Sequence, residues 1–157
     1  LAEAQEQFNL VLTTDQIRKE DYALSQISGL EKGSLDYTEM KANSFYNLGF
    51  IYGLKAELSL AEENFKNALQ LKPNWSEAHS NLGKLYELKN DLASALSHFE
   101  AAVRYSPQRA VYHYNLSLIY LKSGEKNKAL KSLQQALTLE PNFKPALVLF
   151  KQLTVKN

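Results

Sequence analysis

The sequence predicts an all-α protein made of stacked antiparallel helix pairs, and three observations carry that expectation. Proline recurs at a fixed step, with Pro73, Pro107 and Pro141 each 34 residues from the next. Other columns keep the same step: Leu48, Leu82 and Leu116; Tyr52, Tyr86 and Tyr120; Ala61, Ala95 and Ala129; Ala68, Ala102 and Ala136. Within each period the apolar residues fall at helical spacing, and each proline follows such a run, where a helix has to stop. One such unit cannot bury its own apolar face, so neighbouring units must stack and the last must be capped.

Composition narrows the function classes. The chain has 157 residues, 45% hydrophobic and 22% charged, with a net charge of +1; it is too apolar for extended disorder and of single-domain size. Without cysteine there is no disulfide framework, no thiolate metal site and no cysteine nucleophile. The longest apolar runs are a few residues against the roughly 20 that cross a bilayer, so direct membrane insertion is not expected. The balanced charge argues against nucleic acid, which needs a concentrated basic surface. Charge is nevertheless split along the chain. Residues 1–41 hold four Lys or Arg against eight Asp or Glu, and residues 42–157 hold fourteen against nine.

The elements follow in order. Residues 1–35 form an expected helical leader, in which Phe8, Val11 and Leu12 share one face and Ala23, Ile27 and Leu30 repeat the spacing of a second helix, as a degenerate repeat would. Asp36 and Glu39 suit a helix N-cap and its partner three residues on. The remainder, 36–157, is expected to hold three full repeats, 42–75, 76–109 and 110–143. In the first, helices run from about Ala42 to Leu54 and from about Leu58 to Leu71. The turn inside each repeat needs positive φ, supplied by Asn90 and Gly124 in the second and third. Ala56 stands there in the first, and a slightly different turn is expected. Small residues, Gly49, Gly83 and Ser117 on first helices and Ala61 and Ala95 on second helices, let helix axes approach, while the column Phe65, Phe99 and Leu133 fills the space between. From Lys144 onward, Pro145, Leu147, Val148, Phe150 and Leu153 read as a capping helix.

These residues resemble the tetratricopeptide repeat family. Its pattern is met by Phe45, Leu48, Gly49, Tyr52, Ala61, Phe65, Ala68 and Pro73, again by His79, Leu82, Gly83, Tyr86, Ala95, Phe99, Ala102 and Pro107, and a third time with Ser117 in place of glycine. The three periods cover about 102 of the 157 residues. The resemblance implies a right-handed solenoid and a non-enzymatic scaffold that binds a peptide segment of a partner protein in a concave groove lined by first helices.

No catalytic motif, phosphate loop or metal-ligand spacing is present, so neither an enzyme nor a cofactor is expected. His79, His98 and His113 are expected to pack or to sit at the solvent edge. The column Asn47, Asn81 and Asn115 is the strongest candidate for peptide contact, because an amide both donates and accepts, as a peptide unit requires. Around it, Tyr46 and Phe50, then Lys84, then Val111, Tyr114 and Leu118 would complete the groove, with apolar ends and a polar middle. Substituting Phe50 or Tyr114 is expected to cost more binding than substituting Glu77. Some members of the family bind a C-terminal carboxylate through five positions that here hold Tyr46, Phe50, Asn81, Val111 and Asn115; only Asn81 is of the matching type. The competing reading is a self-assembling structural protein, a homo-oligomer in which the acidic N-terminal segment of one copy meets the basic body of another.

Overall fold

A computed structural model describes residues 35–155, so all but the last residue of the leader expected over 1–35 lies outside the described residues. Seven helices and no strand occur among them: α1 (Leu35–Leu54), α2 (Leu58–Leu71), α3 (Ser76–Leu88), α4 (Leu92–Tyr105), α5 (Ala110–Lys122), α6 (Lys126–Leu139) and α7 (Lys144–Thr154). The chain divides into two compact units that meet in sequence between Pro73 and Asn74. Among the described residues no helix is long and apolar enough to cross a membrane.

The local signals act as chemistry requires. Pro73, Pro107 and Pro141 each stand two residues beyond the end of α2, α4 and α6. The last amide of each of these helices closes alike, Lys72 onto Ala68, Ser106 onto Ala102 and Glu140 onto Ala136, at 2.9, 3.0 and 2.9 Å. The turns inside the repeats are also alike, which corrects the expectation for Ala56. Ala56 and Asn90 both take φ of 59° and Gly124 takes 77°. The next amide donates to a tyrosine carbonyl in every case, Glu57 to Tyr52, Asp91 to Tyr86 and Glu125 to Tyr120. The closing hydrogen bonds of the turn impose one geometry, and alanine accepts the steric cost.

In the first unit α1 pairs with α2. This 20-residue helix starts at Leu35, about two turns before Ala42. Asp36 is therefore already helical and not an N-cap, and Glu39 Oε1 accepts from Lys72 Nζ at 2.9 Å instead of partnering a cap. Tyr37 is buried and gives the added turns an apolar anchor, while Leu48, Ile51, Ala61, Phe65 and Ala68 form the core. Gly49 lies against the Phe65 ring so closely that a Cβ there would be 2.8 Å from it.

The second unit holds the pairs α3–α4 and α5–α6 and the helix α7. Ala95 and Phe99 of α4 meet Leu116 and Ile119 of α5 in one cluster, with Tyr86, Val103 and Tyr120 around it. Ala110, Leu133, Ala136 and Ala146 form the next, covered by Phe143, Leu149, Phe150 and Leu153. The helix α7 thus caps the third repeat. Gly83 faces Phe99 as Gly49 faces Phe65, with a Cβ to be placed 3.1 Å from the ring. In the third repeat both members change: Ser117 is fully buried, donates to the Tyr114 carbonyl at 2.6 Å, and its partner in the column is the smaller Leu133.

Candidate functional site

The sequence candidates all lie on first helices, and the structure gives them unequal surroundings. In the first unit Asn47 is half-buried, and Tyr46 packs its ring against Phe65 at 5.8 Å between centroids. Phe50 is 49% exposed and Leu54 61%. An aromatic and an aliphatic side chain one turn apart thus stand open on α1.

In the second unit the two first helices, α3 and α5, touch. Asn115 of α5 is only 8% exposed and its Nδ2 donates to Ser80 Oγ of α3 at 3.3 Å. The amide nitrogen of Asn115 therefore braces two helices, whereas Asn81 and Lys84 of α3 stand at the surface, half-buried and exposed. Beyond them, Lys122 Nζ pairs with Glu87 Oε1 at 2.7 Å, tying the ends of the same two helices. Val111 and Leu118 are half-buried on α5. Tyr114 sets its ring edge-on to Phe143 at 5.4 Å and belongs to the cluster capped by α7, so its packing serves stability as well as surface.

Beside Val111 opens a cavity of about 300 Å³, lined by Gln108, Arg109, Ala110, Val111, Leu139 and Glu140. It lies where α5 begins and α6 ends, so its polar rim comes from loop residues that carry no periodic signal. Glu77 is exposed and also joins a small polar network. Ser76 Oγ donates to Glu77 Oε2 at 3.1 Å and lies 2.8 Å from Ser106 Oγ. Burial works to raise the Glu77 carboxyl, but hydrogen bonds from its own backbone amide and from the Ser76 and Tyr112 hydroxyls, with the Arg109 charge nearby, outweigh it and hold the group below its ordinary value. Burial in turn pushes the Tyr112 hydroxyl up.

The structure also joins two histidines that sequence spacing left apart. His79 and His98 approach to 3.0 Å between their Nδ1 atoms. The signal available was their register, the fourth and twenty-third places of one period, which an antiparallel pair sets opposite each other. His113 goes elsewhere, its Nε2 donating to the Pro107 carbonyl at 2.8 Å. Among the described residues no three His, Asp or Glu side chains converge as a metal site.

Comparison with known proteins matches these features to one family. Tetratricopeptide repeat profiles match residues 42–74, 76–109 and 110–143. No match is found among curated proteins. Among solved structures the chain is similar to YrrB, described as a TPR protein with an unusual peptide-binding site, at 28% identity and a TM-score of 0.66, over 74% of this chain and 63% of that one. It is also similar to a Thermobaculum terrenum O-GlcNAc transferase mutant, at 26% identity and a TM-score of 0.65, over 71% of this chain and 22% of that one. The chain thus spans less than two thirds of either relative. The Arabidopsis OM64 TPR domain shares the fold at 15% identity and a TM-score of 0.70, over 74% of this chain and 97% of that one. With three profile matches over more than half its length and helix pairs of matching register, the chain belongs to the tetratricopeptide repeat family.

Proposed function

We infer that the chain is a non-enzymatic interaction scaffold that holds a short peptide segment of a partner protein on its first-helix faces. The observation that carries this reading is the cavity of about 300 Å³ beside Val111. An apolar partner side chain entering it would contact Val111, Ala110 and Leu139, while the polar rim of Gln108, Arg109 and Glu140 meets the peptide backbone. Asn81 and Lys84 extend the contact along α3, and Leu118 along α5. In the first unit, exposed Phe50 and Leu54 offer an apolar contact of their own, with Asn47 and Tyr46 one turn earlier on the same helix. Asn115 acts by bracing α5 on α3. The likeness to YrrB, whose description names a peptide-binding site, supports the peptide as ligand.

Peptides selected from a random display library on the immobilised full chain test this reading. Val111→Ala and Leu118→Ala should each weaken the selected peptide by about 1–3 kcal/mol with little change in melting temperature. Equal affinity of both variants and the parent would reject the assignment.

Self-assembly is the second reading, favoured by the exposed Lys126 and Lys131 of α6 and Lys144 and Lys151 of α7 set against the acidic residues 1–41. Light scattering at low and high salt tests it: association that dissolves above about 0.5 M salt supports it, and a monomer at every ionic strength rejects it.

A further inference from the structure

The outer line of α7 has no packing role in the second unit. Lys144, Val148, Lys151 and Val155 follow one another at steps of four, three and four residues, which set them on one helical line. Val148 is 56% exposed and Val155, just past the helix end, 69%, and both lysines are exposed. The opposite line, Ala146, Leu149, Phe150 and Leu153, packs into the cluster with Leu133 and Ala136 of α6. Cation and valine therefore alternate along an open face. The helix carries no carboxylate, and no ion pair among the described residues engages Lys144 or Lys151. The exposed Lys126 and Lys131 of α6 differ, since that helix exposes no large apolar residue beside them.

The 34-residue step excludes one kind of cover. Lys151 stands 34 residues after Ser117, in the column of Gly49 and Gly83. There the second helix of a repeat comes so close that a Cβ would sit 2.8 Å from the Phe65 ring or 3.1 Å from that of Phe99. A lysine side chain leaves no such room, so the face is not covered by a helix packed in the manner of α2 or α4. Charge favours another cover. Two lysines about 10 Å apart along the axis, with a valine between them, suit apolar side chains flanked by carboxylates. The chain carries that order at its acidic end, where Glu6 and Asp15 enclose Phe8, Leu10, Val11 and Leu12, and residues 1–17 hold three carboxylates and no lysine or arginine.

We propose that the α7 face of one copy docks residues 1–17 of a second copy, the lysines against Glu6 and Asp15 and the valines against the apolar residues between them. The contact rests on the self-assembly reading above and assigns that assembly to α7. Its two sides are different surfaces, so it is heterologous, and copies join head to tail into closed rings or open chains. Exposed ion pairs contribute little each and are screened, so the valines supply the remainder and association falls as salt rises.

Sedimentation of the full chain in about 0.1 M salt, where the Debye length is about 10 Å, tests the contact. The parent should associate. Lys144→Glu with Lys151→Glu, and separately Glu6→Lys with Asp15→Lys, should each weaken association at least about tenfold, because attraction becomes like-charge repulsion. Lys126→Glu with Lys131→Glu on α6 should change it less than about twofold. An equimolar mixture of the α7 reversal and the N-terminal reversal should associate again, since each variant then meets the opposite sign in the other. Should the α7 reversal fail to fold, Lys144→Gln with Lys151→Gln takes its place and should also weaken association. A parent that is monomeric at every salt concentration would overturn this contact and the self-assembly reading together. Association that the α7 substitutions leave intact, or a mixture that stays monomeric while both reversed variants keep the parent's helical circular dichroism, would overturn the α7 contact alone.

Discussion

The residue that most clearly reports the packing logic is the small one on each first helix. Gly49 and Gly53 lie on the same helix, yet a Cβ on Gly49 meets the Phe65 ring at 2.8 Å while one on Gly53 meets nothing within 4 Å. Gly49→Ala should therefore destabilise by about 1–3 kcal/mol through overpacking, against a helix-propensity gain of under about 1 kcal/mol. Gly53→Ala should stabilise by about 0.5–1 kcal/mol, since only the propensity term remains. Opposite shifts in thermal unfolding check the pair. The third repeat solves the same problem with Ser117 and Leu133, both fully buried. Leu133→Phe alone should cost about 1–3 kcal/mol, and adding Ser117→Gly should restore most of it, a coupling that a double-mutant cycle measures. Ala56, at φ of 59°, is strained where Gly124 is not. Ala56→Gly should raise stability by about 0.5–1 kcal/mol, the left-handed penalty less the entropy of glycine in the unfolded chain.

At the scale of elements, the helices α2 to α6 were legible because each is bounded by signals the 34-residue step repeats: a positive-φ turn before the second helix and a proline after it. The start of α1 was not, because residues 35–41 carry no column. Their support is the buried Tyr37 and the pair of Glu39 with Lys72, a partner 33 residues away. The asparagine column reads as three equal amides in sequence, whereas Asn115 reaches the small Ser80 and its amide nitrogen is used there. That outcome depends on which residue the neighbouring helix presents. Cavity rims built by Gln108, Arg109 and Glu140 were illegible for the opposite reason, as loop positions have no period. The Glu77 network shows the same dependence on assembly and gives a pH prediction. Its carboxyl is held below the ordinary value in the folded state. Its stabilisation is therefore complete above the unfolded carboxylate range, about pH 4.5, and is lost as pH falls through the lower folded value. Glu77→Gln should flatten that part of the stability profile in denaturant titrations at successive pH values.

In the molecule as a whole, the residues that build the fold and those proposed to bind form separable layers. Glycines, alanines and ring columns build the helix pairs, and in the proposed function the side chains left over on the first helices determine what is held. Peptide affinity should accordingly respond to Val111 and Leu118, which lie outside the two core clusters of the second unit, and melting temperature should respond to Gly49 and Leu133. Tyr114 belongs to both layers through Phe143, so Tyr114→Ala should lower affinity and stability together. The most direct measurement is the affinity of one display-selected peptide for the parent chain and for a variant in which Val111→Trp fills the mouth of the cavity beside α5. Loss of binding by at least about tenfold, equivalent to about 1.4 kcal/mol, with an unchanged helical circular dichroism spectrum, is the predicted result. Undiminished binding by that folded variant would contradict the claim that the first-helix face of the second unit holds the peptide.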